Sequence, residues 1–296
     1  MMKKRIILPL LFVVCCTIFA EQNLYSIQTT IGIMSREVHE YAYQGDSVIS
    51  RLDWNETTTP FFGINGSVLV NSFLLSINLE SAVALKSGSL QDFDFSTSYG
   101  GVISQYSQHE LYLDKDFSIA GNIKYVVNLA SFSLLPKVGY AYRNVKLSAQ
   151  DGYLQYPESG VWDPDAEKTY VQGTLISYEQ VIYYPYLGLD INWILSCRFA
   201  LTFITSYGFN VCIDSVDSHY SRALRFCDSM RGGHRFTIGV CGQFKLSYFS
   251  RTLLLFGCEY INMPLVRGTT SSGVIGVSDT GPQIDKGYGS GVLRAL

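Results

Sequence analysis

The stretch "FALTFITSYGFNV", residues 199–211, decides the fold. Its odd positions are Phe199, Leu201, Phe203, Thr205, Tyr207, Phe209 and Val211, and the even ones between them are Ala200, Thr202, Ile204, Ser206, Gly208 and Asn210. Side chains on a strand alternate faces, so this pattern predicts a strand with one greasy side. The stretch "RFTIGVCGQFKLSY", residues 235–248, repeats it. Phe236, Ile238, Val240, Phe244, Leu246 and Tyr248 face one way, and Arg235, Thr237, Cys241, Gln243, Lys245 and Ser247 the other. An apolar outside around a polar inside suits a wall between lipid and a wet lumen.

Working outward, further long strands are predicted over Leu24–Tyr43, Val48–Leu69, Phe73–Leu85, Val102–Asn128, Leu134–Gln155, Tyr170–Trp193 and Thr252–Leu265. In the fourth of these, Leu111, Leu113, Phe117 and Ile119 are expected on one face. Short turns at Gly45-Asp46, Asn71-Ser72 and Ser196–Arg198 alternate with longer polar loops, "SGSLQDFDFSTSYGG" (87–101), "YPESGVWDPDAEKT" (156–169) and the segment around Asp217. Alternating short and long connections are what outer-membrane barrels show. The expected fold is therefore all-β, a transmembrane antiparallel β-barrel of ten strands with an atypical last one. A soluble β-sandwich would have shorter strands and more charge than the 16% here, against 47% hydrophobic residues.

Lys3, Lys4 and Arg5 precede an apolar run to Phe19, and Ala20 is followed by Glu21-Gln22. Residues 1–20 read as a secretory signal and 21–296 as the barrel with its rim loops. The formal net charge of -3 excludes a general affinity for nucleic acid. Cys197, Cys212, Cys227, Cys241 and Cys258 show no CxxC spacing, so no zinc site and no complete disulfide framework is indicated. No metal and no cofactor is expected.

Two short motifs carry chemistry. Asp217-Ser218-His219 places a carboxylate and an imidazole on one face of an extended segment, where the acid orients the ring and strengthens it as a base toward water. Asp92-Phe93-Asp94 likewise puts two carboxylates side by side, and close like charges push one pKa up. Each alone is more often an ordinary polar loop.

Together, spaced as they are, they resemble the omptin family of outer-membrane proteases, from about Leu24 to Met263. Landmarks recur in order, "LDW" at Leu52–Trp54, "PYLGL" at Pro185–Leu189 and "HY" at His219-Tyr220. The resemblance implies a ten-stranded barrel in the outer membrane, its active site facing the exterior. It implies an endopeptidase that cuts polypeptides beside basic residues by an activated water, without an acyl-enzyme. Asp92 and Asp94 become the carboxylate pair and Asp217 and His219 the dyad. Glu40 falls at the base of the pocket for a basic side chain, and Leu90 at an apolar wall.

Three departures stand against this pattern. The second pocket acid of the family falls on Ser215, with Asp214 one residue away as the substrate-binding candidate. The family's lipopolysaccharide-binding arginines fall on Asn144 and Val181 and its glutamate on Tyr142, with Tyr140 retained. These replacements count against lipopolysaccharide dependence and leave another outer-membrane lipid as the expected partner. Finally, "GYGSGVLRAL" (287–296) is short and glycine-rich where a closing strand should end in an aromatic. Either it closes the barrel or it leaves an open edge. A barrel that kept the fold as an adhesin or structural protein is the alternative, and a diffusion porin a third reading.

Overall fold

The structure, a computed structural model, describes residues 25–96, 100–246 and 253–275, together with the backbone of 17–19 and 283–295. One antiparallel sheet contains β1 (Thr17–Phe19), β2 (Tyr25–Gln44), β3 (Ser47–Val70), β4 (Phe73–Ala82), β5 (Leu85–Ser96), β6 (Val102–Tyr125), β7 (Val127–Leu129), β8 (Phe132–Gln155), β9 (Thr169–Ile194), β10 (Phe199–His219), β11 (Leu224–Lys245), β12 (Leu253–Val274) and β13 (Gln283–Ala295). β4 and β5 form one span, and both pair with β3 and β6. β1 pairs with β2 and β7 with β8 as short additions. What remains, among the described residues, is the ten spans expected. The signal expected over 1–20 lies outside the described residues apart from the β1 backbone.

The C-terminal question has a clear answer. β13 pairs with β12 from Gln283 to Ala295 and with β2 from Asp285 to Ala295. The sheet therefore closes on itself, and the glycine-rich tail satisfies its backbone on both sides, as lipid requires.

An outward band of large apolar side chains, among them Ile27, Phe62, Ile77, Val138, Leu187 and Ile238, surrounds the end with the short turns. Toward the long-loop end the outer face turns polar, with pairs such as His39–Asp53 at 2.7 Å, Lys86–Glu110 at 2.6 Å and Arg231–Asp214 at 2.6 Å. The wall thus continues beyond the membrane into water.

At this boundary several strands change parity. In β10, Phe203 and Tyr207 point out, yet Val211 and Ile213 are fully buried inside. The cause is a bulge: Gly208 and Cys212 pair with Tyr186 and Tyr183, so four steps on β10 match three on β9. Asn210 takes the left-handed conformation this needs, φ 49°, which asparagine tolerates. The expectation that Phe199 to Val211 keeps one face is corrected accordingly. β6 shows the same event between Leu113 and Lys115, so Leu111 and Leu113 are buried while Phe117 faces out. In β3 the buried positions shift from Trp54 and Glu56 to Thr59 and Phe61, and in β12 from Met263 to Val266.

The interior consequently has two levels. Within the membrane half it is charged. Arg36 binds Glu56 and Asp116, Arg143 also binds Asp116, and Lys124 and Lys137 share Asp190. A cavity of about 200 Å³ lies among these groups, touching Arg36, Glu80, Lys137, Arg143, Arg235 and Glu259. Above it the core is apolar, which the alternation had not indicated. Trp54 stacks on Tyr178 with centroids 5.5 Å apart, among Leu52, Leu90, Leu111, Leu113, Ile213 and Met230. Burying each such side chain contributes about 1.5–3 kcal/mol, and this layer makes a dry floor for whatever sits above it.

Removing Arg36 leaves Glu56 and Asp116 with less compensation inside the wall. Arg36→Ala is expected to cost about 3–5 kcal/mol, read as a lower urea midpoint of the refolded barrel, whereas truncating exposed Lys86 should leave the midpoint nearly unchanged.

Candidate active site

The two motifs expected in loops lie on strands. The Asp pair belongs to β5, which reaches the rim because Gly88, at φ 145°, lets its backbone pass Asn55 where any Cβ would meet the Asn55 carbonyl oxygen at 2.0 Å. Asp217 and His219 occupy the last turns of the pleat in β10, just before a single 3-10 turn, Tyr220–Arg222, that leads into β11. After the Asn210 bulge, odd positions face inward, so both point over the floor. Had the parity of Phe203 and Tyr207 persisted, they would point out of the barrel.

His219 Nε2 lies 2.9 Å from Asp217 Oδ2, and the ring packs edge-on against Phe226 at 5.5 Å. Burial alone would depress the imidazole. The Asp217 carboxylate beside it, with Asp92 adding, outweighs that and holds the ring above its ordinary value. Across the mouth, Asp92 is 7% exposed, and its Oδ1 has no hydrogen-bond partner among the described residues. Burial first and Asp94 second push its carboxyl up to about 7, against the lowering effect of His219 and Arg222. Each motif thus feels the other, and the four expected residues form one site. Arg222 reaches from the 3-10 turn to Asp94 Oδ2 at 3.5 Å and to the Tyr156 hydroxyl at 3.4 Å.

Glu40 is fully buried and sits in the same cross-strand row as Leu52 and Asp92, two strand spacings or about 10 Å from Asp92. Leu90 is fully buried too, paired with Trp54 and His109, and belongs to the apolar floor. Asp214 is not brought to the site. Its even position after the bulge turns it to the outer face, where it binds Arg231 and accepts from the Tyr183 hydroxyl at 3.2 Å. One acid was missed. Asp228, 4% exposed, stands opposite Ser215 and accepts a hydrogen bond from its hydroxyl at 2.7 Å. His109, 3% exposed, is held by the Asp151 carbonyl and Ser107, and burial lowers its pKa. The Asp228 position was readable, since a tight hairpin about Tyr220–Arg222 pairs residue 228 with 215. Among the described residues no three His, Cys, Asp or Glu side chains converge as a metal site.

The sequence model of the Omptin family matches residues 21–272. The chain belongs to the Omptin family. Its fold is similar to that of the outer membrane protease OmpT from Escherichia coli, with a TM-score of 0.78 at 18% identity over 93% of this chain and 96% of that one. Other barrels match more loosely. The transport unit of the autotransporter AIDA-I from Escherichia coli gives 0.36 at 9% identity, covering 93% of this chain and 91% of that one. A major outer membrane protein from Thermus thermophilus gives 0.30 at 10%, covering 90% and 99%. A search of curated protein sequences gives no match. This omptin is thus an outer-membrane β-barrel protein.

An unfolded Asp ionises near 3.8, while Asp92 in the folded barrel keeps its proton to about 7. Between these values only the folded chain binds the proton, so stability falls as pH rises through the window. Asp92→Asn escapes that loss. Its urea midpoint should exceed the parent's by a margin that grows from pH 4 to pH 8, and a constant margin would contradict the raised pKa.

Proposed function

We propose that this omptin is an endopeptidase of the outer membrane that hydrolyses polypeptides beside basic residues. The observation that carries the reading is the Asp217–His219 bond at 2.9 Å facing a buried Asp92 oxygen that lacks a partner among the described residues. A water between them has a base on one side and a carboxyl group on the other. His219 takes one proton from that water as its oxygen attacks the scissile carbonyl, and returns the proton to the departing amine. Asp217 keeps the ring oriented and stabilises the imidazolium. Asp92, which keeps its proton to about 7, donates to the oxygen that becomes negative, while Asp94 lies beside Arg222. The apolar floor of Trp54, Leu90 and Tyr178 keeps bulk water from entering below.

Glu40 and Asp228 are buried carboxylates on the β2 and β11 side of the mouth, a setting that favours a Lys or Arg side chain of the substrate. Asp228 takes the place left by Ser215. The long-loop rim faces the exterior, and residues 1–20 are the signal removed on export. On the outer wall, Tyr140 is exposed but Asn144 donates to Glu179 at 3.2 Å, so the position holds an amide where a lipid phosphate would need a cation. A different lipid contact is inferred. The reading as an inactive surface barrel drew on a doubtful C-terminus, and the two-sided pairing of β13 removes that support. The floor speaks against a diffusion pore.

The test uses refolded barrel and an internally quenched peptide with one arginine. His219→Ala and Asp92→Ala should each lower kcat by about 10²–10⁴-fold while retaining heat-modifiable migration. The acid limb of the parent's pH profile should fall above the ordinary imidazole value, because His219 is raised. Undiminished cleavage in either variant would overturn the assignment.

A further inference from the structure

Arg222 neither gives nor takes a proton in the hydrolysis described above, yet its guanidinium is bound to the carboxylate pair. Its guanidinium spans Asp94 on β5 and Tyr156 at the end of β8. The order of strands around the wall divides the mouth in two about the line from Asp92 to His219. One half is bounded by β6, β8 and β9, and the other by β11, β12, β13, β2 and β3. Glu40 and Asp228 both belong to the second half. Arg222 lies over the first. A polypeptide lying across the mouth presents the side chains flanking its scissile bond to opposite halves. One neighbour meets buried acids, and the other meets a guanidinium that already pairs with the Asp94 carboxylate.

We propose that Arg222 is a specificity-determining residue that makes cleavage one-sided, accepting a basic residue on the Glu40 side of the scissile bond and disfavouring a second basic residue on the other. This rests on the proteolytic reading. Arg222 stands where the guanidinium of a substrate would otherwise bind. Its contacts, 3.5 Å to Asp94 and 3.4 Å to Tyr156, leave little room for another cation without repulsion. Other charges on that side are Glu158, Asp163, Asp165, Glu167 and Lys168 of the loop after β8, all exposed and therefore screened by water and salt. Lys168 is held over the Tyr153 ring at 4.2 Å. The preferred substrate is a chain with a single basic residue followed or preceded by a neutral one, not a dibasic pair.

Two quenched peptides that differ only at the second position, Arg-Ala and Arg-Arg, with the order reversed in a second pair, measure this directly. The parent should favour the better singly basic peptide over Arg-Arg by about tenfold in kcat/KM, roughly a like-charge contact at the rim. Arg222→Ala should erase or invert that ratio, and Arg222→Lys should keep it. A ratio unchanged by Arg222→Ala overturns the proposal. So does an equal loss on all peptides with a shifted pH profile, since that marks a role in positioning Asp94. To separate this from failure of the proteolytic reading, peptide affinities are also measured by fluorescence anisotropy in His219→Ala, with and without Arg222→Ala. If the parent cleaves nothing, the affinity ratio still decides: the proposal requires tighter Arg-Arg binding when Arg222 is removed, and no change refutes it.

Discussion

Every residue in a barrel wall must face lipid or lumen, and the pleat leaves it no third choice. That binary constraint governs this molecule. In the membrane half the inward positions must be polar or paired, because the outward ones are committed to lipid. Above the membrane the outside is wet, and the demand reverses. An apolar core can form inside and charges can go outside. Some strands meet both demands by swapping their faces at the boundary through a bulge, at Asn210, beyond Leu113, below Glu56 and after Met263, while β9 keeps its even positions inward from Tyr186 to Ile176.

The change of parity sets the chemistry. Charged groups fill the lumen as mutually compensating clusters, Arg36 with Glu56 and Asp116, Lys124 and Lys137 with Asp190. The aromatic and aliphatic layer around Trp54 and Tyr178 covers them. Carboxyl groups set on that dry layer cannot all ionise. Asp92 is driven up by burial and by Asp94, while Asp217 is bound to the ring of His219. A ring raised by its carboxylate and a carboxyl raised by burial thus face one mouth, the division of labour that the proposed hydrolysis needs.

Much of this was legible in the sequence. Alternation in Phe236 to Phe244 marks a lipid-facing strand because lipid tolerates no exception there, and Asp92, Asp94, Asp217 and His219 stand out by their spacing. Other features were not. One extra residue in a ladder leaves no mark on composition, so the flips between Leu113 and Phe117 and between Tyr207 and Val211 passed unseen. The polar run 87–101 looked like a loop because a strand standing in water carries the same residues as one. The glycine-rich tail looked too weak to close a sheet, but closure depends on backbone pairing, and β13 supplies it on both edges. Asp214 illustrates the same rule in reverse, since one step along the strand puts its carboxylate outside with Arg231.

A one-residue insertion beyond the bulge is the most direct measurement. An alanine placed between Val211 and Cys212 leaves the bulge at Asn210 in place and moves Asp217 and His219 one step along the pleat, turning both outward. Deleting Asn210 is the control, since it removes the extra residue, makes the ladder from Gly208 to Cys212 regular and keeps both side chains inward. Both refolded variants should migrate as closed, heat-modifiable barrels; the insertion should cleave no peptide that the parent cleaves, and the deletion should keep cleaving. A folded insertion variant that retains the parent's kcat/KM would show that strand parity does not orient the dyad, and would contradict the account.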